Sequence, residues 1–248
     1  MLRHGSGPHP RTGRRNAAAR RVRDLLRSAI VHGEFRAGTL PSEPSLMLSF
    51  STSRQVIRDA LALLRDEGLV RRAQGAGTLS TATGVRHDFD FLHGPAGVDV
   101  DISHEVLSVN QEAASPQVAQ RLQIDVGVDC GVVELLTSLD GEPFYTATTY
   151  VPASFVPMIA QFGPRTEWFA LYERAGIHLG TTDHSIEAVV ADDLVAQLLD
   201  VRVGHPLLLF ERLVRDTTGT PVEYAFTRVR GDRLTLMQHL TRPTTLDP

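Results

Sequence analysis

The sequence predicts a two-domain α+β chain: a small helical head closed by a short hairpin, then a larger body built on an antiparallel sheet with flanking helices. Three observations predict it. Charge divides the chain, because residues 1–82 carry 14 Arg against 6 acidic residues and the remainder 11 against 23, net charges of +8 and −12. Hydrophobic residues recur at helical spacing up to Gly68 and at strand alternation in most of the body. The body also repeats itself: Val118-Ala119-Gln120-Arg121-Leu122 with Asp125-Val126-Gly127 returns 77 residues later as Val195-Ala196-Gln197-Leu198-Leu199 with Arg202-Val203-Gly204. A length of 248 residues is enough for two cores.

Residues 1–15, rich in Gly, Pro, His and Arg, read as a disordered arm. A helix follows from about Asn16 to His32, with Val22, Leu25, Leu26, Ala29 and Ile30 on one face and Gly33 as its stop. Leu40-Pro41-Ser42-Glu43 opens a short helix in which Ser42 is the N-cap and Pro44 sits in the first turn. After Phe50-Ser51 comes a longer helix, N-capped by Thr52 or Ser53 and ending at Gly68. Gln55, three residues after Thr52, has the spacing of a capping box.

That longer helix has two faces. At about 100° per residue, Ile57, Ala60, Leu61 and Leu64 fall on one side and Arg54, Gln55, Arg58 and Arg65 on another. Arg bridges guanine O6 and N7, Gln does the same for adenine N6 and N7, and the first turn of a helix laid in the major groove meets the base edges. Arg54, Gln55 and Arg58 are therefore candidate base readers. The alternative is an amphipathic helix with a solvated charged face. The flanks favour the reader, since Leu69 to Arg72 forms a strand, residues 73–77 a Gly-rich tip and Thr78 to Ser80 a returning strand. Gly75 and Gly77 lack a Cβ, so such a tip approaches a phosphate or a minor groove closely.

Residues 17–80 resemble the DNA-binding domain of the GntR family of bacterial transcription regulators, a winged helix-turn-helix. The matching residues are Leu40 to Glu43, Ser53-Arg54, Val56-Ile57-Arg58, Ala60-Leu61, Leu64, Glu67 to Val70 and Gln74 to Thr78. The resemblance implies contacts to double-stranded DNA from Ser42, Ser53, Arg54, Gln55, Arg58, Arg71, Gln74, Gly75 and Gly77. One position departs: where the family often carries a phosphate-contacting Arg after the Glu, this chain has Pro44.

With the head at 16–80, residues 81–103 read as a linker with a short strand around Phe89–Phe91. In the body, 104–243, each copy of the repeat continues as strand, turn and strand. These are Val132–Leu139, Asp140-Gly141-Glu142 and Pro143–Val151, then Leu207–Val214, Asp216–Thr220 and Pro221–Val229. Further strands are expected at His104–Val109 and Thr182–Val190. This pattern, with Tyr150-Val151-Pro152, Gly219 to Tyr224 and Arg230 to Arg233, resembles the UTRA effector domain of the HutC subfamily, a fold shared with chorismate lyase. The resemblance implies a dimerising domain that binds a small metabolite.

UTRA members that bind phosphosugars carry Arg where this chain has Leu135 and Thr137, so a sugar phosphate is not expected. The family's Ser-x-Tyr segment corresponds to Thr166-Glu167-Trp168, Glu223 matches a family ligand contact, and Tyr145 holds the equivalent place in the first copy. The effector-binding candidates are Tyr145, Thr166, Trp168, Glu223 and Arg230. Against each stands a structural role: Trp168 and Tyr145 as core aromatics, Glu223 and Arg230 as a surface pair.

Composition excludes several chemistries. The chain has no Lys, so it forms no pyridoxal-phosphate Schiff base. Its single cysteine, Cys130, allows neither an internal disulfide nor a thiolate metal cluster. None of its His residues sits in an H-E-x-x-H pattern, and no G-x-S-x-G elbow presents a nucleophile. No metal or cofactor is expected. No apolar run approaches the roughly 20 residues that cross a bilayer, and a cytoplasmic, nucleoid-associated location is expected. The sequence thus points to a homodimeric, ligand-responsive regulator, expected to act as a repressor on a palindromic operator. The alternative is an enzyme acting on a small aromatic carboxylate, with the head as targeting module.

Overall fold

The computed structural model describes residues 10–35, 38–73, 77–80, 85–88 and 101–239. They fall into two compact units, Met1–Gly84 and Val85–Pro248.

The head opens with α1 (Pro10–Val31), which starts six residues before the expected Asn16 and so includes part of the stretch read as an arm. Gly33 stops it with φ +69, a left-handed conformation that costs glycine nothing. Two shorter helices follow, α2 (Glu43–Ser49) and α3 (Arg54–Asp66). Ser53 caps α3, its side chain accepting from the Val56 N–H. Gln55 therefore sits at the second helical position and closes no capping box; its amide instead donates to Asp59 Oδ1 at 2.8 Å.

Ile57, Ala60, Leu61 and Leu64 pack against Ala19, Val22, Leu26 and Ile30 of α1, as the periodicity requires. Arg23 and Arg27 both reach Glu67 at the end of α3, fixing the two helices at that end as well. Strands β1 (Val70–Ala73) and β2 (Gly77–Ser80) form the expected antiparallel hairpin. A bridge from Thr39 to Leu79 and a bond from Leu40 N–H to Thr78 O at 2.9 Å anchor it to the segment before α2.

The body begins earlier than the reading placed it. Strand β3 (Val85–Asp88), inside the expected linker, pairs in parallel with β10 (Leu234–Met237). The strand expected around Phe89–Phe91 lies outside the described residues. The main sheet has six strands in the order β4-β5-β6-β9-β8-β7, every pairing antiparallel. They are β4 (Ile102–Ala113), β5 (Asp129–Leu139), β6 (Glu142–Pro152), β7 (Leu179–Val190), β8 (Pro206–Asp216) and β9 (Pro221–Arg230).

The sequence repeat is a structural duplication. Strands β4, β5 and β6 with α4 (Pro116–Leu122) match β7, β8 and β9 with α7 (Asp193–Leu198), and the central β6·β9 pair joins the two copies. The hairpins even share an irregularity, a register shift at Thr137/Ser138 in one and at Val214/Arg215 in the other. Because side chains alternate, each strand addresses two faces. One face meets α4 and α7 through Val132, Leu213 and Tyr224 at one helix and Leu207 at the other. The opposite face meets α5 (Val156–Ile159) and α6 (Trp168–Arg174), inserted between the copies, through Val133, Leu135, Ala147 and Val214. The insertion has no counterpart after the second copy among the described residues, so the face beneath it is where the duplication loses its symmetry.

Candidate DNA-reading face and effector cavity

In the head, the apolar side of α3 is spent on the core, and the polar side that remains is exposed at Arg54, Gln55 and Arg58. Ser42 and Ser53 act first as helix caps, accepting from Ser45 N–H at 3.3 Å and Val56 N–H at 3.4 Å. Capping places both hydroxyls beside helix N-termini, where backbone N–H groups and the helix dipole favour phosphate. Arg71 is exposed on β1. Gly77 is exposed with φ +83, so its requirement for glycine is conformational. Gln74 and Gly75 lie outside the described residues.

Sequence reasoning left two head residues without a role. Glu43 stands between Arg54 of α3 and Arg72 of β1, 3.7 and 3.8 Å from them. Both arginines keep most of their side-chain surface exposed, so the pairing is loose and a phosphate or base edge competes with it readily. Gln55 likewise has to leave Asp59 to read a base.

In the body, a cavity of about 200 Å³ opens on the α6-covered face of the sheet. Tyr145 and Trp168 line it, as do Leu135 and Thr137 at the positions where an Arg would serve a phosphosugar. Glu223 lies directly behind the wall and is fully buried. Trp168 Nε1 donates to its Oε2 at 2.5 Å, the Tyr172 hydroxyl donates to the same oxygen at 3.1 Å, and Arg212 Nη2 donates to Oε1 at 2.8 Å. This carboxylate ties α6 to strands β8 and β9. Burial first, and the Glu223 charge second, push the Tyr172 hydroxyl well above its ordinary pKa, so it stays a donor.

Besides Glu223, two more candidates are not in the cavity wall. Thr166 Oγ1 accepts from Gly163 N–H at 3.1 Å, closing the turn before α6. Arg230 does not pair with Glu223 on the surface; it grips Asp232 at 2.9 Å and the Pro143 carbonyl at 3.3 Å, beyond the end of the cavity.

Sequence reasoning also missed two cavity residues, Arg212 and His104. Arg212 alternates with Phe210 and Val214 on the inward register of an apolar strand, and a charge at such a position was the available clue. His104 Nδ1 shares a hydrogen bond with Thr137 Oγ1 at 2.9 Å, and its ring tilts against Phe162 at 5.2 Å.

Burial holds the His104 imidazole below its ordinary pKa, with the Glu167 charge opposing. The folded body therefore binds fewer protons at this site than the unfolded chain. Its contribution to stability is complete above the unfolded imidazole value of about 6.5 and is lost as pH falls from there through the lower folded value. In urea titrations, the wild type is expected to lose stability over this window relative to His104→Gln. Parallel pH profiles for the two would contradict the burial of a neutral ring.

The fold and its two sites define a class: a DNA-reading winged head carried on one chain with a ligand-cavity body. The gntR family of bacterial regulatory proteins matches residues 18–79, and the UTRA domain matches residues 99–235. An uncharacterized HTH-type transcriptional regulator of Rhizobium meliloti (strain 1021) is 32% identical over 227 residues, covering 88% of this chain and 92% of that protein. A probable fructoselysine utilization operon transcriptional repressor of Escherichia coli O157:H7 is 26% identical, covering 87% and 91%. Among solved structures, PhnF from Mycobacterium smegmatis has the same fold, with a TM-score of 0.62 at 23% identity over 90% of this chain and all of that one.

The chain belongs to the GntR family and carries a UTRA domain. It is a transcriptional regulator, and the relatives named are regulators, which does not favour the enzymatic alternative. No helix among the described residues is long and apolar enough to cross a membrane.

Proposed function

We propose that the protein represses transcription as a homodimer, binding a palindromic operator through two heads and changing its hold on DNA when a small molecule enters the body cavity. The observation that carries this reading is the exposed first turn of α3, with Arg54, Gln55 and Arg58 on the side away from the core. Arg54 and Arg58 read guanines and Gln55 an adenine in each half-site, while Arg71 and the tip from Gln74 to Gly77 follow the backbone as a wing. Ser42 and Ser53 hold phosphates at the starts of α2 and α3. The effector lies against Tyr145 and Trp168, with Glu223 transmitting its presence to α6. Regulation takes place in the cytoplasm, at the nucleoid.

Two-fold symmetry in the protein requires two half-sites in the DNA. Coupling of about 1–3 kcal/mol between cavity and heads changes operator affinity some 5–150-fold, and DNA changes effector affinity by the same factor. Footprinting of the full chain on the DNA upstream of its own gene is expected to show two symmetry-related protected half-sites, filled together. Protection of a single half-site by a monomer would contradict the dimeric reading.

A further inference from the structure

The cavity specifies more than a small molecule. Six aromatic rings wall it, those of Phe144, Tyr145, Phe162, Trp168, Phe169 and Phe210. An apolar cavity of about 150 Å³ accepts benzene, so a volume of about 200 Å³ admits one six-membered ring with a short substituent. Such walls reward an apolar body and give a polyol few partners.

The charges narrow the substituent. Among the described residues of the wall, Arg212 is the one Lys or Arg and Glu167 the one carboxylate, already accepting from the Phe169 and Ala170 N–H groups. Arg212 spends one amino group on Glu223, and its guanidinium lies over the Phe169 ring at 5.3 Å. Its Nε–H is buried with no hydrogen-bond partner. The part of this cation that lines the cavity favours an acceptor that carries charge. A phosphate dianion brings two charges to one guanidinium that Glu223 already pairs, so its desolvation is compensated less than that of a monoanion.

We propose that the cavity binds a single-ring aromatic monocarboxylate, the ring among the phenyl walls and the carboxylate on the part of the Arg212 guanidinium that lines the cavity. This rests on the cavity being the effector site. The carboxylate competes with Glu223 for Arg212, and Glu223 holds Trp168 and Tyr172, so the ligand's arrival is felt by α6 through a single side chain.

Trp168 is the only tryptophan of the chain and stands in the wall, so its fluorescence reads occupancy directly. The full chain is titrated with benzoate, phenylacetate, benzyl alcohol, benzylamine and glucose 6-phosphate. Saturable shifts with either acid, at least about tenfold tighter than with benzyl alcohol, are expected. Tighter binding of the amine or the sugar phosphate, or no saturation by either acid, overturns the proposal.

The double variant Arg212→Gln/Glu223→Gln, which leaves a neutral hydrogen-bonded pair, should reduce the ratio of acid to alcohol affinity to about one. Arg212→Lys keeps a cation for Glu223 but loses the forked donors of the guanidinium and should lower that ratio in the same direction. An unchanged ratio in both variants overturns the assignment of Arg212. Operator binding separates this proposal from the reading beneath it. If glucose 6-phosphate releases the operator, the regulator stands and the ligand class falls. If no specific DNA binding exists, the regulatory reading falls while the Trp168 titration still decides the ligand class.

Discussion

Glu223→Ala is expected to destabilise the body by about 3–5 kcal/mol, the cost of breaking a buried ion pair from one side. The substitution strands three donors at once: Arg212, the Trp168 indole and the Tyr172 hydroxyl. It also opens a void, because Glu223 is among the largest side chains with no exposed surface. Arg212 retains 20% of its side-chain surface, so water takes up part of its charge and the lower end of the range is the expected one. Glu223→Gln keeps the shape and an acceptor and should lose less. Urea unfolding followed by Trp168 fluorescence measures both. A loss under about 1 kcal/mol for the Ala variant would mean that α6 is held by its apolar contacts alone.

Arg54→Ala and Arg58→Ala are each expected to weaken operator binding by about 1–3 kcal/mol and to relax specificity at one base pair per half-site. Neither should disturb folding appreciably. Both side chains are exposed, and among the described residues the ion pair involved, Arg54 with Glu43, spans 3.7 Å at the surface. Such pairs contribute about 0–1 kcal/mol. The effect therefore falls on DNA and not on the melting of the head. A variant that keeps the wild-type ratio of specific to random binding has lost no base contact, and that arginine would be reassigned to the phosphates.

The head was more legible in the sequence than the body, for a physical reason. Its signals are local: a cap at Ser42, a cap at Ser53, glycine stops at Gly33 and Gly68, and an apolar stripe from Ile57 to Leu64 that had one direction to face. The misplacements there are also local. Gln55 was given to a cap one residue too early, and α1 starts at Pro10 because Pro is tolerated at a helix start even in a polar stretch.

In the body the duplication announced the strands, but not that their one face, with α6, would enclose a cavity. Its walls come from all six strands of the main sheet together with β10 and α6, which are brought together only by the sheet order. Arg212 was hidden beside Glu211 on a strand that also carries Arg215 and Asp216, and its partner Glu223 lies 11 residues away across a turn. His104 gave no signal, because neither its neighbours in sequence nor any metal-ligand spacing marked it. Thr166 and Arg230 were carried by resemblance, and here they close a turn and an ion pair.

The most direct test of the regulatory reading is a fluorescence-anisotropy titration of the full chain against the DNA upstream of its own gene. A random duplex of equal length and a salt series on both complete the measurement. Specific binding is expected to exceed random binding by about 10³-fold or more at physiological salt. The random duplex should show the steep salt dependence of phosphate contacts alone. Equal affinity for the two duplexes, falling with salt at the same slope, would contradict base reading by α3.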